Sequence, residues 1–77
     1  MTLAERNERL EAVKIMKEHI SFVSNQLKEE AHSFEILVEM CEYLEKGLTN
    51  NEDFDYESLA NFIKTEYNRI KENYVKR

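Results

Sequence analysis

Between Thr2 and Lys46 the chain holds neither glycine nor proline, and apolar or small side chains return along it every seven residues without losing phase. Residues three and four apart share one side of an α-helix, so this repeat describes a helix that packs a stripe against other helices. The repeat selects Leu3, Arg6, Leu10, Val13, Lys17, Ile20, Ser24, Leu27, Ala31, Phe34, Val38, Cys41, Glu45 and Leu48, most of them apolar or small. Met16, Val23, Leu37 and Leu44 add a flanking column that widens it from a coiled-coil seam to a bundle face.

Thr2 followed three residues later by Glu5 is a capping box, which starts the first helix near Leu3. A reversal would need turn-forming residues, and Ser24-Asn25 and His32-Ser33 are weak candidates across which the repeat keeps its phase. The spacing therefore predicts one amphipathic helix over about 3–46. At ~1.5 Å per residue it would be roughly 65 Å long, against a radius of gyration of about 11 to 12 Å for a compact chain of this size. One copy could not cover it. Leu10, Val13, Ile20 and Leu27 would meet water unless a second chain shielded them, so the expected architecture is all-α, an antiparallel helical bundle formed by a homodimer. The alternative is a monomeric three-helix bundle broken near Asn25 or His32.

Between Phe34 and Leu48 apolar residues leave only a narrow polar strip of Glu35, Glu39, Glu42 and Lys46. Gly47, the one glycine, stands where a helix end takes a left-handed residue, and residues 49–53 read as a polar connection. Asp53 or Asp55 can cap a last helix over about 55–75, whose carboxyl end suits Lys71, Lys76 and Arg77. Tyr56, Leu59, Phe62, Ile63, Tyr67, Ile70 and Tyr74 give that helix one apolar face, which should fold back on residues 34–48. The whole of 1–77 reads as a single helical domain.

A chain of 77 residues buries only about 60% of the surface it exposes when unfolded, which again favours a second copy. Eleven basic against 16 acidic side chains give a net charge of −5, which argues against a nucleic-acid partner. No stretch approaches the roughly 20 apolar residues of a membrane span, and Glu5, Arg6, Glu8 and Arg9 stand where a signal peptide would be apolar. A single cysteine, Cys41, fits a reducing compartment and reads as a small buried hydrophobe. The expected location is the cytoplasm.

Catalytic chemistry finds few parts. Neither Cys41 nor Ser21, Ser24, Ser33 or Ser58 sits in a glycine-flanked strained turn, and one glycine excludes the Gly-rich phosphate loops. Glu29 and His32 make one Glu-x-x-His pair, the spacing of carboxylate metal sites in helical bundles, but such a site needs two pairs and further glutamates. His19 reads as a histidine at the edge of the stripe. No catalytic residue, cofactor or metal-ligand set is therefore assigned, and the chain is expected not to be an enzyme.

The long helix, then Leu44-Glu45-Lys46-Gly47, an acidic connection, and Asp53-Phe54-Asp55-Tyr56-Glu57-Ser58-Leu59 opening a shorter helix, together resemble the carboxyl-terminal region of some MerR-type regulators. The resemblance covers residues 3–63 and implies a long helix paired antiparallel in a dimer, with the following segment helping to bind an effector. No winged-helix part precedes it and no cysteine set for metal sensing accompanies it.

The leading expectation is a non-enzymatic interaction or oligomerisation module, with Leu10, Val13, Ile20 and Leu27 as anchors toward another protein or a second copy. Two alternatives stand beside it. One is an effector-sensing accessory of a transcription regulator with a pocket of Phe34, Tyr43, Phe62 and Tyr67; the other is a carboxylate metal protein using Glu29 and His32.

Overall fold

The computed structural model describes residues 2–75, Val75 by its backbone only, so Lys76 and Arg77 at the expected helix end lie outside the described residues. Helix α1 spans Leu3–Gln26, a short 3-10 turn covers Lys28–Glu30, α2 spans Ala31–Thr49 and α3 spans Tyr56–Val75. Among the described residues there is no strand.

The continuous helix over 3–46 is not formed. Leu27 leaves helical geometry at φ −110° and ψ 68°, although its N–H still donates to the Val23 carbonyl at 2.8 Å. Glu30 N–H then donates to the Leu27 carbonyl at 2.9 Å and opens the 3-10 turn. Leu27 keeps a negative φ, so the reversal makes no demand for glycine. Lys17 Nζ meets Glu45 Oε1 at 2.7 Å, which shows α2 returning along α1. The molecule is 44 Å long, well short of the roughly 65 Å of a straight helix over 3–46. The three-helix alternative therefore describes this chain, with its break between the two sites considered for it.

The unbroken repeat has a physical reason. Folding about residues 30 and 31, as the Lys17–Glu45 pair requires, brings Val13 level with Leu48, Ile20 with Cys41 and Leu27 with Phe34. A seven-residue repeat in phase across a hairpin thus gives layers of an antiparallel pair. Val13, Ile20, Phe34, Cys41, Leu44 and Leu48 are almost fully buried, and Leu10, Met16, Val23 and Leu27 pack around them. Each fully buried large apolar side chain contributes roughly 1.5 to 3 kcal/mol. The stripe said to need a second chain is hidden by the same chain's α2 and α3, so the sequence argument that forced dimerisation does not hold. Burial also pushes the Cys41 thiol up to about 11, which keeps it protonated at neutral pH.

Caps fix the helix ends. Glu5 N–H donates to Thr2 Oγ1 at 3.1 Å, as the capping box predicts. For α3 the cap is Asp55: Ser58 N–H donates to its Oδ1 at 3.1 Å and Ser58 Oγ to its Oδ2 at 2.7 Å. The end of α2 departs from expectation. Its left-handed residue is Asn51, at φ 56°, while Gly47 lies inside the helix. Glu52 N–H donates to the Gly47 carbonyl at 2.9 Å and Asn51 N–H to the Leu48 carbonyl at 3.2 Å, the paired bonds of a Schellman motif. Gly47 serves packing instead: a Cβ there would stand 2.6 Å from Phe54 Cε1. Phe54 folds back across Gly47, and the connection turns α3 onto the bundle.

Helix α3 contributes Ala60, Ile63 and Ile70 to the core. Arg9 lies over the Tyr56 ring, 4.8 Å to its centroid, and His19 meets Tyr67 edge-on at 5.5 Å. Both helices advance together through these two contacts, so α3 runs parallel to α1 and antiparallel to α2.

Candidate interaction groove

On α1 apolar residues occupy two sides. Val13 and Ile20 face the core, whereas Ile15 and Phe22, also seven apart, are 59% and 63% exposed. Ala12, Ile15, Met16 and His19 follow one another at helical spacing along the side turned to α3. Across from them α3 presents Tyr56, Ala60, Lys64 and Tyr67. The result is an open, largely apolar groove of about 530 Å³ between α1 and α3.

Aromatic contacts build its floor. Tyr67 touches Phe34 below at 5.8 Å between centroids, His19 at its side, and the ammonium of Lys71, 5.7 Å from its ring centre. Offset or edge contacts of this kind are worth roughly 0.5 to 1.5 kcal/mol beyond burial. The Tyr67 hydroxyl is shielded from water and has no hydrogen-bond partner among the described residues. Burial raises the pKa of Tyr67, and that of Tyr56 too, where the Arg9 guanidinium works in the opposite direction. At neutral pH these phenols therefore stay protonated, and the groove is lined by their rings.

Other apolar residues of α2 and α3 lie outside that groove. Ile36, Tyr43 and Phe62 are exposed, and Met40 and Leu59 are half-buried.

The residues singled out from the sequence are distributed differently. Val13 and Ile20 are buried inside the chain, and Leu10 and Leu27 are half-buried against the same core, so none of the four heads an open face. Phe34, Tyr43, Phe62 and Tyr67 do not converge on one pocket: Phe34 is fully buried, Tyr43 and Phe62 face out, and only Tyr67 lines the groove. Glu29 sits in the 3-10 turn and His32 at the start of α2, both exposed. No group of three or more His, Cys, Asp or Glu that could hold a metal stands together among the described residues. No helix among them is long and apolar enough to cross a membrane. Ile15 and Phe22 were missed because the main repeat already accounted for α1. Their own seven-residue spacing, with Ala12 before them and His19 between, was the available signal.

No protein-family model matches the chain, and no curated protein or solved structure matches it significantly. The long helix that carried the likeness to MerR-type regulators is absent.

Proposed function

We propose that this protein is a non-enzymatic interaction module that takes an apolar helical segment of a protein into the groove between α1 and α3. The observation that carries this reading is the exposure of Ile15, which lines that groove, with Phe22 exposed one heptad further along α1, in a chain whose own core is already closed. Exposed apolar residues scattered singly need no explanation, but two on one helix face, one of them lining a concave apolar groove, match helix-in-groove recognition. Ile15 and Phe22 supply the anchors, Tyr56 and Tyr67 the rings below, and the charges at the rim set register. The homodimer expected from the sequence enters here as one occupant of the groove.

The test is titration of isotopically labelled protein with amphipathic helical peptides, followed by amide chemical shifts. Shifts confined to Ala12–Phe22 and Tyr56–Asn68, and lost with Ile15→Glu, are the expected outcome. Shifts elsewhere, or none from any peptide in a protein that also does not self-associate, contradict it.

A second reading has its own support: 530 Å³ lies within the roughly 300 to 1,000 Å³ of small-molecule sites. The effector-sensing role would then move to this groove. A ligand from a small-molecule panel that raises the melting temperature, but not that of Tyr67→Leu, would establish it.

A further inference from the structure

The groove is a trough with unequal ends. Helices α1 and α3 each pack closely on α2 but approach one another at few points, bridged by the His19–Tyr67 and Arg9–Tyr56 contacts. The Tyr67 ring rests on Phe34 of α2 beneath. In a four-helix bundle the space between two such walls is filled by another helix. Along α3 the lining runs from Tyr56 to Asn68, about 18 Å at ~1.5 Å per residue, which is room for roughly three turns.

The two bridging contacts set each α1 residue level with the α3 residue 47 or 48 positions later. Apart from the tyrosines, the polar side chains of the lining are His19, Lys64 and Asn68, and all three fall in the last third of the trough. Lys64 and Asn68 stand one turn apart on the same face of α3. The part before them is lined by Ala12, Ile15, Met16, Tyr56 and Ala60. Among the described residues no carboxylate lines the groove, and Lys64 is exposed without an ion-pair partner. The acids nearby are placed elsewhere: Glu11 and Glu18 on α1 and Glu57 on α3 are exposed outside the lining, and Glu66 holds Arg69. A chain of net charge −5 thus keeps negative charge out of its groove.

We infer that the occupant of the groove is a helix of another protein, about three turns long, whose apolar stripe ends in a carboxylate that meets Lys64. This rests on the groove being an interaction surface for a helix and names that helix's chemistry. Its first two turns lie over Ala12, Ile15 and Ala60, and the carboxylate of the last accepts from the Lys64 ammonium and the Asn68 amide. A wholly apolar helix laid there would cover the ammonium without a partner, and a basic one would repel it.

Charge exchange between peptide and groove tests this on the full chain. The probes are two amphipathic helical peptides of about 15 residues, identical except for Glu or Lys one turn from the end of the apolar stripe, with binding followed by amide chemical shifts. The glutamate peptide should bind about tenfold more tightly at low salt, and the difference should shrink as salt rises. In Lys64→Glu, a change at an exposed position, the order of the two peptides should reverse. Such a reversal cannot come from a folding defect, since both peptides meet the same variant. Equal affinities at the groove, or an order that survives Lys64→Glu, overturn the inference while the groove reading stands. Binding of neither peptide in a protein that also stays monomeric removes both. A parent chain that dimerises in sedimentation, and no longer does so as Ile15→Glu, puts a second copy in the groove and overturns the inference alone.

Discussion

Val13 and Ile20 lie one heptad apart on α1, and so do Ile15 and Phe22, yet the first pair is closed off from water and the second is more than half exposed. Both pairs have the spacing that defines a helical stripe. What separates them is their neighbours: Val13 and Ile20 belong to the closed core, whereas Ile15 lines the open groove and Phe22 is exposed one heptad further on. The same side-chain chemistry thus contributes to stability on one side of a helix and is available for recognition on the other.

Truncation should break this comparison open most widely. Ile20→Ala is expected to cost about 2 to 5 kcal/mol and Phe34→Ala about 3 to 5, since both empty space in a closed core. Ile15→Ala should stay within about 0.5 kcal/mol of the parent. Urea denaturation measures all three. Equal losses at Ile15 and Ile20 would mean that the groove belongs to the core.

Gly47 gives the next effect, and its sign is informative. Alanine gains roughly 1 kcal/mol over glycine inside a helix, but here it must displace the Phe54 ring, and overpacking costs about 1 to 3 kcal/mol. Gly47→Ala is therefore expected to destabilise the parent slightly and to stabilise a Phe54→Ala background by about 1 kcal/mol. A stabilising effect in both backgrounds would show that Phe54 does not press on α2.

Lys17 and Glu45 tie α1 to α2 at the flank of the core, with 31% and 22% of their side-chain surface exposed. Loss of Lys17 should cost no more than about 1 kcal/mol at this exposure. Its pKa is raised chiefly by the hydrogen bond to Glu45, so the pair's contribution is fully present below the ordinary value of 10.5 and disappears as pH rises through the raised one. Glu45→Gln should remove that dependence. Denaturation midpoints at pH 9 and above pH 11 in parent and variant, compared by difference because the Cys41 thiol titrates in the same range, measure it.

The smallest effect belongs to Asp55. Its pKa is lowered by the Ser58 hydroxyl and then by the Ser58 amide, so its capping contribution is present above the ordinary carboxylate value of 3.8 and fades as pH falls through the lowered one. Asp55→Asn keeps a capping oxygen and should flatten that part of the melting profile between pH 5 and 2. An unchanged profile would remove the cap from the account.

Local chemistry made much of the fold legible. Thr2 and Asp55 announce their helices by side-chain capping, and the face of Tyr56, Ile63, Tyr67 and Ile70 places α3 on the core. The reversal at Leu27 was not legible, because its backbone keeps a negative φ and Lys28, Glu29 and Glu30 are ordinary helix formers. Phase continuity then misled further, since a symmetric hairpin preserves the repeat that a straight helix would show. Gly47 misled in the opposite direction, as a residue needed for close packing that imitates a helix stop. The groove depends on the distance between α1 and α3, which no local pattern encodes.

The doubling back of α1 and α2 within one chain is the claim on which the groove and its occupant depend. Pulsed electron resonance between spin labels at the exposed positions Lys14 and Lys46, in a Cys41→Ala chain diluted with unlabelled protein, tests it directly. Helices packed about 8 to 10 Å apart should hold the labels within roughly 25 Å of each other. A separation near 48 Å, the length of about 32 residues of straight helix, would contradict the account.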